Sequence, residues 1–242
     1  MKKIFVIIFL LVGGIFNLSC SKLKSDETKT ENWVANYEQE VLGDRITCIA
    51  KITLDESNST FIELTGGDYL ACGGVSMTRA DSVVGEVIYK ASMKYVPTKA
   101  YDIVLTRKNE GDYVARAEVP AAIDIISPKD GASLQKGSAL DVNWLPSSSR
   151  LDGIFVSLTY EQASAGDSGS QYQAFAERMA TESGRYVFSS NKTPKNIEGD
   201  VNGAATVPAT LLLSRYRTGS MLSGLKGKIT MQRSLNLRVF FN

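Results

Sequence analysis

The chain of 242 residues predicts an all-β protein, two small antiparallel β-sandwich or barrel-like domains in tandem behind a cleaved signal peptide and a short polar tether. Three observations predict it. Apolar and polar residues alternate with a period of two in short runs bounded by Gly, Asn, Asp and Ser turns. No stretch of comparable length carries a helical period. The leader, Met1-Lys2-Lys3 and then the apolar run Ile4 to Phe16, is a charged start with an apolar core shorter than the ~20 residues that span a bilayer. The expected divisions are 1–19 for the signal, 20–40 for the tether, 41–119 for a β-meander domain and 120–242 for a second sandwich.

The segment Leu18-Ser19-Cys20 resembles the lipobox of bacterial lipoproteins, with Asn17 standing where that pattern carries an aliphatic residue. The resemblance implies acylation of Cys20, cleavage before it, and attachment to the membrane through an N-terminal lipid. Several acyl chains would hold the protein stably, since one chain alone binds reversibly. It also implies a place in the bacterial cell envelope; no aspartate follows Cys20 directly, which in the enterobacterial sorting pattern implies the outer membrane. Ser25-Asp26-Glu27 is similar to the acidic export tags of some surface lipoproteins, but reads first as a solvated tether, since a short charged polar stretch needs no receptor to explain it.

With Cys20 assigned to lipid, Cys48 and Cys72 remain as a pair in an oxidising compartment. Ile46, Cys48, Ala50 and Ile52 share one strand phase, and Leu70 shares a phase with Cys72, so both sulfurs point inward. A disulfide is expected, stabilising by about 3 kcal/mol through the loop it closes; the alternative is two buried free thiols. Further strands are expected over Arg45 to Leu54, Thr60 to Leu64, Tyr69 to Thr78 and Val83 to Tyr95, with Tyr101, Ile103 and Leu105 pairing to Tyr113, Ala115, Ala117 and Val119 across Asn109-Glu110-Gly111-Asp112.

Pro120-Ala121-Ala122 leaves little slack before Ile123. Then Ile126-Ser127-Pro128, the Asp130-Gly131 turn and the alternating Leu140 to Trp144 resemble the opening of bacterial immunoglobulin-like and fibronectin-type-III-like domains, which implies a β-sandwich closed on a buried Trp144 and no particular chemistry. Ile154, Val156, Leu158 and Tyr160 continue the alternation, as do Tyr186 with Phe188 and Leu235 to Phe241. Val207-Pro208 before Leu211-Leu212-Leu213 reads as a short helical turn with proline at its first position, and Gln162 to Ser170 as an exposed loop.

Histidine is absent from the sequence, which removes the commonest general base and metal ligand. Gly166-Asp167-Ser168-Gly169 therefore lacks the base a serine triad requires. Ser133-Leu134-Gln135-Lys136 and Ser223-Gly224-Leu225-Lys226 match Ser-x-x-Lys without companion motifs. Asp55-Glu56 and Glu63 with Asp68 are carboxylate pairs, read first as turn residues. No catalytic residue, metal or cofactor is expected. Arg215, Arg217, Lys226, Lys228, Arg233 and Arg238 form a candidate patch for an anionic partner, provided a bulge near Ser234 brings Arg233 and Arg238 into one phase; otherwise they are dispersed on a solvated surface.

The reading that follows is a non-catalytic membrane-anchored envelope lipoprotein, binding an envelope protein or an anionic glycan and no nucleic acid. Its alternatives are an envelope glycan hydrolase using paired carboxylates, and a structural subunit of an export or motility assembly.

Overall fold

A computed structural model describes residues 21–56, 60–81, 85–147, 152–163, 170–195 and 206–242. The leader, Cys20, Val83 and Gly166-Asp167-Ser168-Gly169 lie outside the described residues. Those described are strands joined by turns and three short 3-10 segments, with no α-helix among them. The first half carries β1 (Ser21–Lys24), β2 (Val34–Leu42), β3 (Arg45–Thr53), β4 (Thr60–Glu63), β5 (Tyr69–Cys72), β6 (Val75–Ser76), β7 (Thr78–Asp81), β8 (Val87–Lys94), β9 (Ile103–Arg107) and β10 (Gly111–Arg116). The second carries β11 (Ile125–Ser127), β12 (Ala132–Leu134), β13 (Leu140–Trp144), β14 (Gly153–Ala163), β15 (Ser170–Met179), β16 (Arg185–Phe188), β17 (Val207–Thr218), β18 (Ser220–Met221) and β19 (Lys226–Phe241).

One eleven-stranded sheet, ordered β1-β4-β3-β2-β19-β17-β14-β15 with β7, β8 and β12 attached beside that path, forms a floor common to both halves. Two smaller sheets lie over it. Over the first half sits β18-β10-β9-β5-β6; over the second, β11-β13-β16. The first core is closed between Tyr37, Ile46, Ile52, Ile229 and Met231 of the floor and Leu70, Ile103 and Leu105 of the upper sheet. The second is closed between Ile154, Val156, Leu211 and Val239 below and Val142, Trp144 and Phe188 above. Each half is thus a two-layer sandwich, the arrangement that period-two strands with one apolar face reach by burying those faces together.

The expected turns and phases largely form. The hairpin β2–β3 closes on Leu42↔Arg45, with Gly43 at φ 60°, a left-handed conformation that glycine adopts without a Cβ penalty. Ile103 pairs with Ala115 and Leu105 with Tyr113, as the meander predicted. Cys48 and Cys72 are bonded, with Cα atoms 6.6 Å apart, and the bridge ties floor strand β3 to β5 of the sheet above.

Four expectations are corrected. The tether expected over 20–40 is not found in its described part, 21–40: Ser21 to Lys24 pairs with β4, Trp33 is wholly buried, and Val34 opens a nine-residue strand. The phase Ala35, Tyr37, Gln39, Val41 points inward, and the intervening Asn36, Glu38 and Glu40 gave the segment its polar composition. The boundary at 119/120 does not separate two cores either, because Leu225, Ile229 and Met231 return to the first. Val207 to Ser214 is part of strand β17 rather than a helical turn; Leu211 and Leu213 alternate inward, and Pro208 faces out. Tyr69 to Thr78 is broken into β5, β6 and β7, with Gly73 and Gly74 both at positive φ between the first two.

β19 is the element on which this architecture turns. At 16 residues it runs roughly 50 Å at the usual rise per residue. Along one edge β2 pairs with it in parallel over 226–234 and β12 over 239–241; along the other lies β17. It belongs to both sandwiches.

Candidate functional site: two buried arginine clamps

The six cations of the candidate patch are not gathered into one exposed cluster; only Arg215 and Arg233 are cross-strand partners. Arg215 follows Leu211 and Leu213 on the inward phase of β17, and its side chain is 2% exposed. Its Nε lies 2.9 Å from Glu182 Oε1, and its terminal nitrogens donate to the carbonyls of Ala122 and Leu145. Glu182 also accepts from Trp144 Nε1 at 2.8 Å and from the Ser147 amide. Arg233 stands directly across the ladder from Arg215; its guanidinium lies 5.4 Å from the Tyr95 ring centroid and its Nη1 3.5 Å from the Pro120 carbonyl. Arg217 is paired with Glu118. Lys226, Lys228 and Arg238 are exposed, but Arg238 is twelve positions along the strand from Lys226, about 40 Å away.

The physical reason is strand phase. β17 and β19 pair without interruption from Val207↔Phe241 to Thr218↔Thr230, so no bulge forms at Ser234 and Arg233 stays on the core-facing side. There it is the cross-strand partner of Arg215, and the donors of the two take up the carbonyls of residues 120–122. A buried guanidinium is tolerated where a carboxylate neutralises it and carbonyls take its remaining protons.

A second arginine is used in the same way at the start of the chain. Arg107 follows Ile103 and Leu105 on the inward phase of β9 and is 7% exposed. Its guanidinium lies 4.1 Å from the Trp33 ring centroid, 2.9 Å from Asp68 and 3.2 Å from Glu110. It donates to the Ser25 carbonyl at 2.8 Å, to the Thr28 carbonyl at 3.2 Å and to Thr30 Oγ1. Trp33 Nε1 in turn donates to Thr28 Oγ1 at 2.9 Å, and the Thr65 amide to Ser25 Oγ at 2.9 Å. Residues 25–33 are thereby wrapped onto the end of the first sandwich, with Ser25 and Thr30 buried.

The carboxylates around this strap respond to it. A hydrogen bond from Thr65 holds the Asp26 carboxyl below its ordinary range. At Glu110 partial burial acts the other way, but hydrogen bonds from Thr30 and Tyr113 and the charge of Arg107 outweigh it and lower that carboxyl as well. The cleft beside the strap, about 280 Å³, is lined by Asp26, Lys29, Asp68, Arg107 and Glu110.

Several of the reactive candidates are engaged with neighbours. Glu63 is paired with Arg79, and Asp68 with Arg107. Ser223 Oγ accepts the Val114 amide, and Ser133 Oγ accepts from Asn242. Within the first core, Gln39 Nε2 donates to the Tyr101 carbonyl and lies 3.2 Å from Cys72 Sγ. Tyr37 is deeply buried, its hydroxyl has no hydrogen-bond partner among the described residues, and burial raises its pKa well above the ordinary phenol. The clamps themselves were not foreseen. Their signal was nevertheless present in the sequence, because both arginines stand on the inward phase of an otherwise apolar strand, where a charge requires partners.

No protein-family profile matches the chain, and no curated protein matches it. Among solved structures it is similar to the fibronectin(III)-like modules of Clostridium thermocellum CbhA at 11% identity, covering 86% of this chain and 90% of that one with a TM-score of 0.25. It is also similar to a chain of a cytokine receptor complex at 9% identity, covering 80% and 96%, with a TM-score of 0.22. Scores this low do not bear on the fold, and the sandwich architecture stands on the strand pairing and the two closed cores.

Proposed function

We propose that this chain is a non-catalytic envelope lipoprotein, anchored through acylated Cys20, that presents a rigid β body for binding an envelope protein or an anionic glycan. The observation that carries the reading is the junction: β19 is common to both sandwiches, and Arg215 and Arg233 hold the connecting carbonyls of residues 120–122. A body built this way keeps distant surfaces in fixed relation, which favours recognition by lowering the ordering cost of binding. The ion-paired state of Glu63, Asp68 and Glu182 speaks against the glycan hydrolase, since a carboxylate committed to a neighbouring arginine is poorly placed to exchange protons with substrate.

The test is intact-mass analysis of the native protein from detergent-extracted envelopes, together with binding of the purified protein to isolated envelope fractions. An acylated amino terminus and saturable binding are expected. An unmodified terminus would remove the anchor from the proposal. Hydrolysis of envelope glycan, lost on replacing a single carboxylate, would replace it with the enzyme reading.

A further inference from the structure

We infer that the body is seated end-on against the lipid leaflet with no tether between them, the first sandwich at the membrane and the second displayed away from it; this rests on acylation of Cys20 as proposed above. Three observations lead there. Cys20 precedes Ser21 directly, so the two Cα atoms are about 3.8 Å apart. Ser21 is already in the sheet, and Ser21 to Lys24 pairs residue for residue with Thr60 to Glu63. The strap that follows has no slack, because Arg107 binds the carbonyls of Ser25 and Thr28 while Trp33 is stacked beneath it.

The pairing then identifies which end faces the lipid. Ser21 lies beside Thr60; Phe61 pairs with Thr53, Thr53 with Val34, and Val34 with Lys226. The start of β19 is therefore at the attachment end. From Lys226 the strand runs through the junction at Arg233 to Phe241 in the second core, about 50 Å away. A lipid surface at Ser21 meets the end of the first sandwich and leaves the second to begin near Leu235, about 30 Å further along that strand.

The experiment places one fluorophore on the acylated full-length protein in phosphatidylcholine vesicles containing a headgroup acceptor. Labels at K226C and R238C, both exposed positions, are compared for energy transfer to the bilayer. Transfer several-fold stronger from position 226 is expected. Equal transfer from the two overturns the end-on placement. Inserting about ten Gly and Ser residues between Cys20 and Ser21 adds roughly 17 Å of flexible reach and leaves the body intact. It should reduce transfer from position 226 sharply; no change would mean that a working tether already exists, which overturns the inference. R107Q frees residues 25–33, which follow β1, and should raise tryptic cleavage after Lys24 and Lys29 roughly tenfold or more without lowering transfer from position 226, since Ser21 to Lys24 stay paired with β4. Protein that does not float with the vesicles refutes the anchor itself, an outcome distinct from protein that floats with both labels equally close.

Discussion

The two halves of the molecule solve the same packing problem with different fastenings. The first is stapled between its layers by Cys48–Cys72 and seals its open end with the N-terminal strap under Arg107. Among the described residues the second has no disulfide, and its upper sheet is fixed by Trp144 and Glu182 through Arg215. In both, a buried arginine grips backbone that has no strand to pair with. A guanidinium suits that task because its five donors can satisfy several carbonyls and a carboxylate at once, as a lysine could not. The difference lies in what is gripped. Arg107 holds a chain end to one sandwich, whereas Arg215 holds the connection between two, so losing the first should free a segment and losing the second should loosen the whole.

The largest effect is accordingly expected from R215A, which leaves Glu182 buried without its countercharge. A loss of about 3–5 kcal/mol is expected, read by urea unfolding. The shared strand predicts that both halves still unfold in a single transition; separate transitions reported by Trp33 and Trp144 would show that β19 does not couple them. Reducing Cys48–Cys72 should cost about 3 kcal/mol, measured as the change in unfolding midpoint with and without reductant, and should register first at Trp33 if the halves are less tightly coupled than the junction implies. At G227A, a Cβ would stand 1.9 Å from the Ala35 carbonyl oxygen in the parallel seam between β19 and β2. Overpacking of this kind costs about 1–3 kcal/mol, and an unchanged midpoint would mean that the seam yields. S234A removes a hydroxyl that bonds Glu40 at 2.6 Å and Ser214 on the opposite side; about 1 kcal/mol is expected.

The smallest effect is acid loosening of the strap. Asp26 and Glu110 both have depressed pKa values in the folded state. Their contribution is therefore complete above the unfolded carboxylate values near 4 and is lost as the pH falls through the lower folded values. Hydrogen exchange at the Thr28 and Trp33 amides, corrected for intrinsic rate, should quicken below about pH 4 while global folding persists. Protection independent of pH would leave Arg107 and Trp33 as the whole of the clamp.

Legibility in the sequence followed the range of the physics. Ile46 to Ile52, Leu140 to Trp144 and Ile154 to Tyr160 were readable because alternation is a property of adjacent residues, and the inward aim of Cys48 and Cys72 followed from that phase. Residues 34–42 were hidden because Asn36, Glu38 and Glu40 occupy the outward phase and Gln39 the inward one, which obscures a half-buried strand. Val207 to Ser214 was misread because a proline before a leucine cluster also suits a helix start; pairing with β14 on one edge and β19 on the other decided the matter. The cationic patch failed for a third reason, since counting charges along a chain says nothing about which neighbours neutralise them.

By itself the sequence determined the all-β class, most strand phases, the inward sulfurs and the buried Trp144, all of which depend on residues within a few positions of one another. Only the tertiary structure decided that β19 joins two sandwiches, that residues 25–33 are strapped down, and that Arg107 and Arg215 are clamps. Those outcomes depend on partners far apart in the chain, Arg215 with Glu182 and Ala122, Arg107 with Ser25. Burial of a charge is settled by whether such partners arrive together, and no local pattern encodes that meeting.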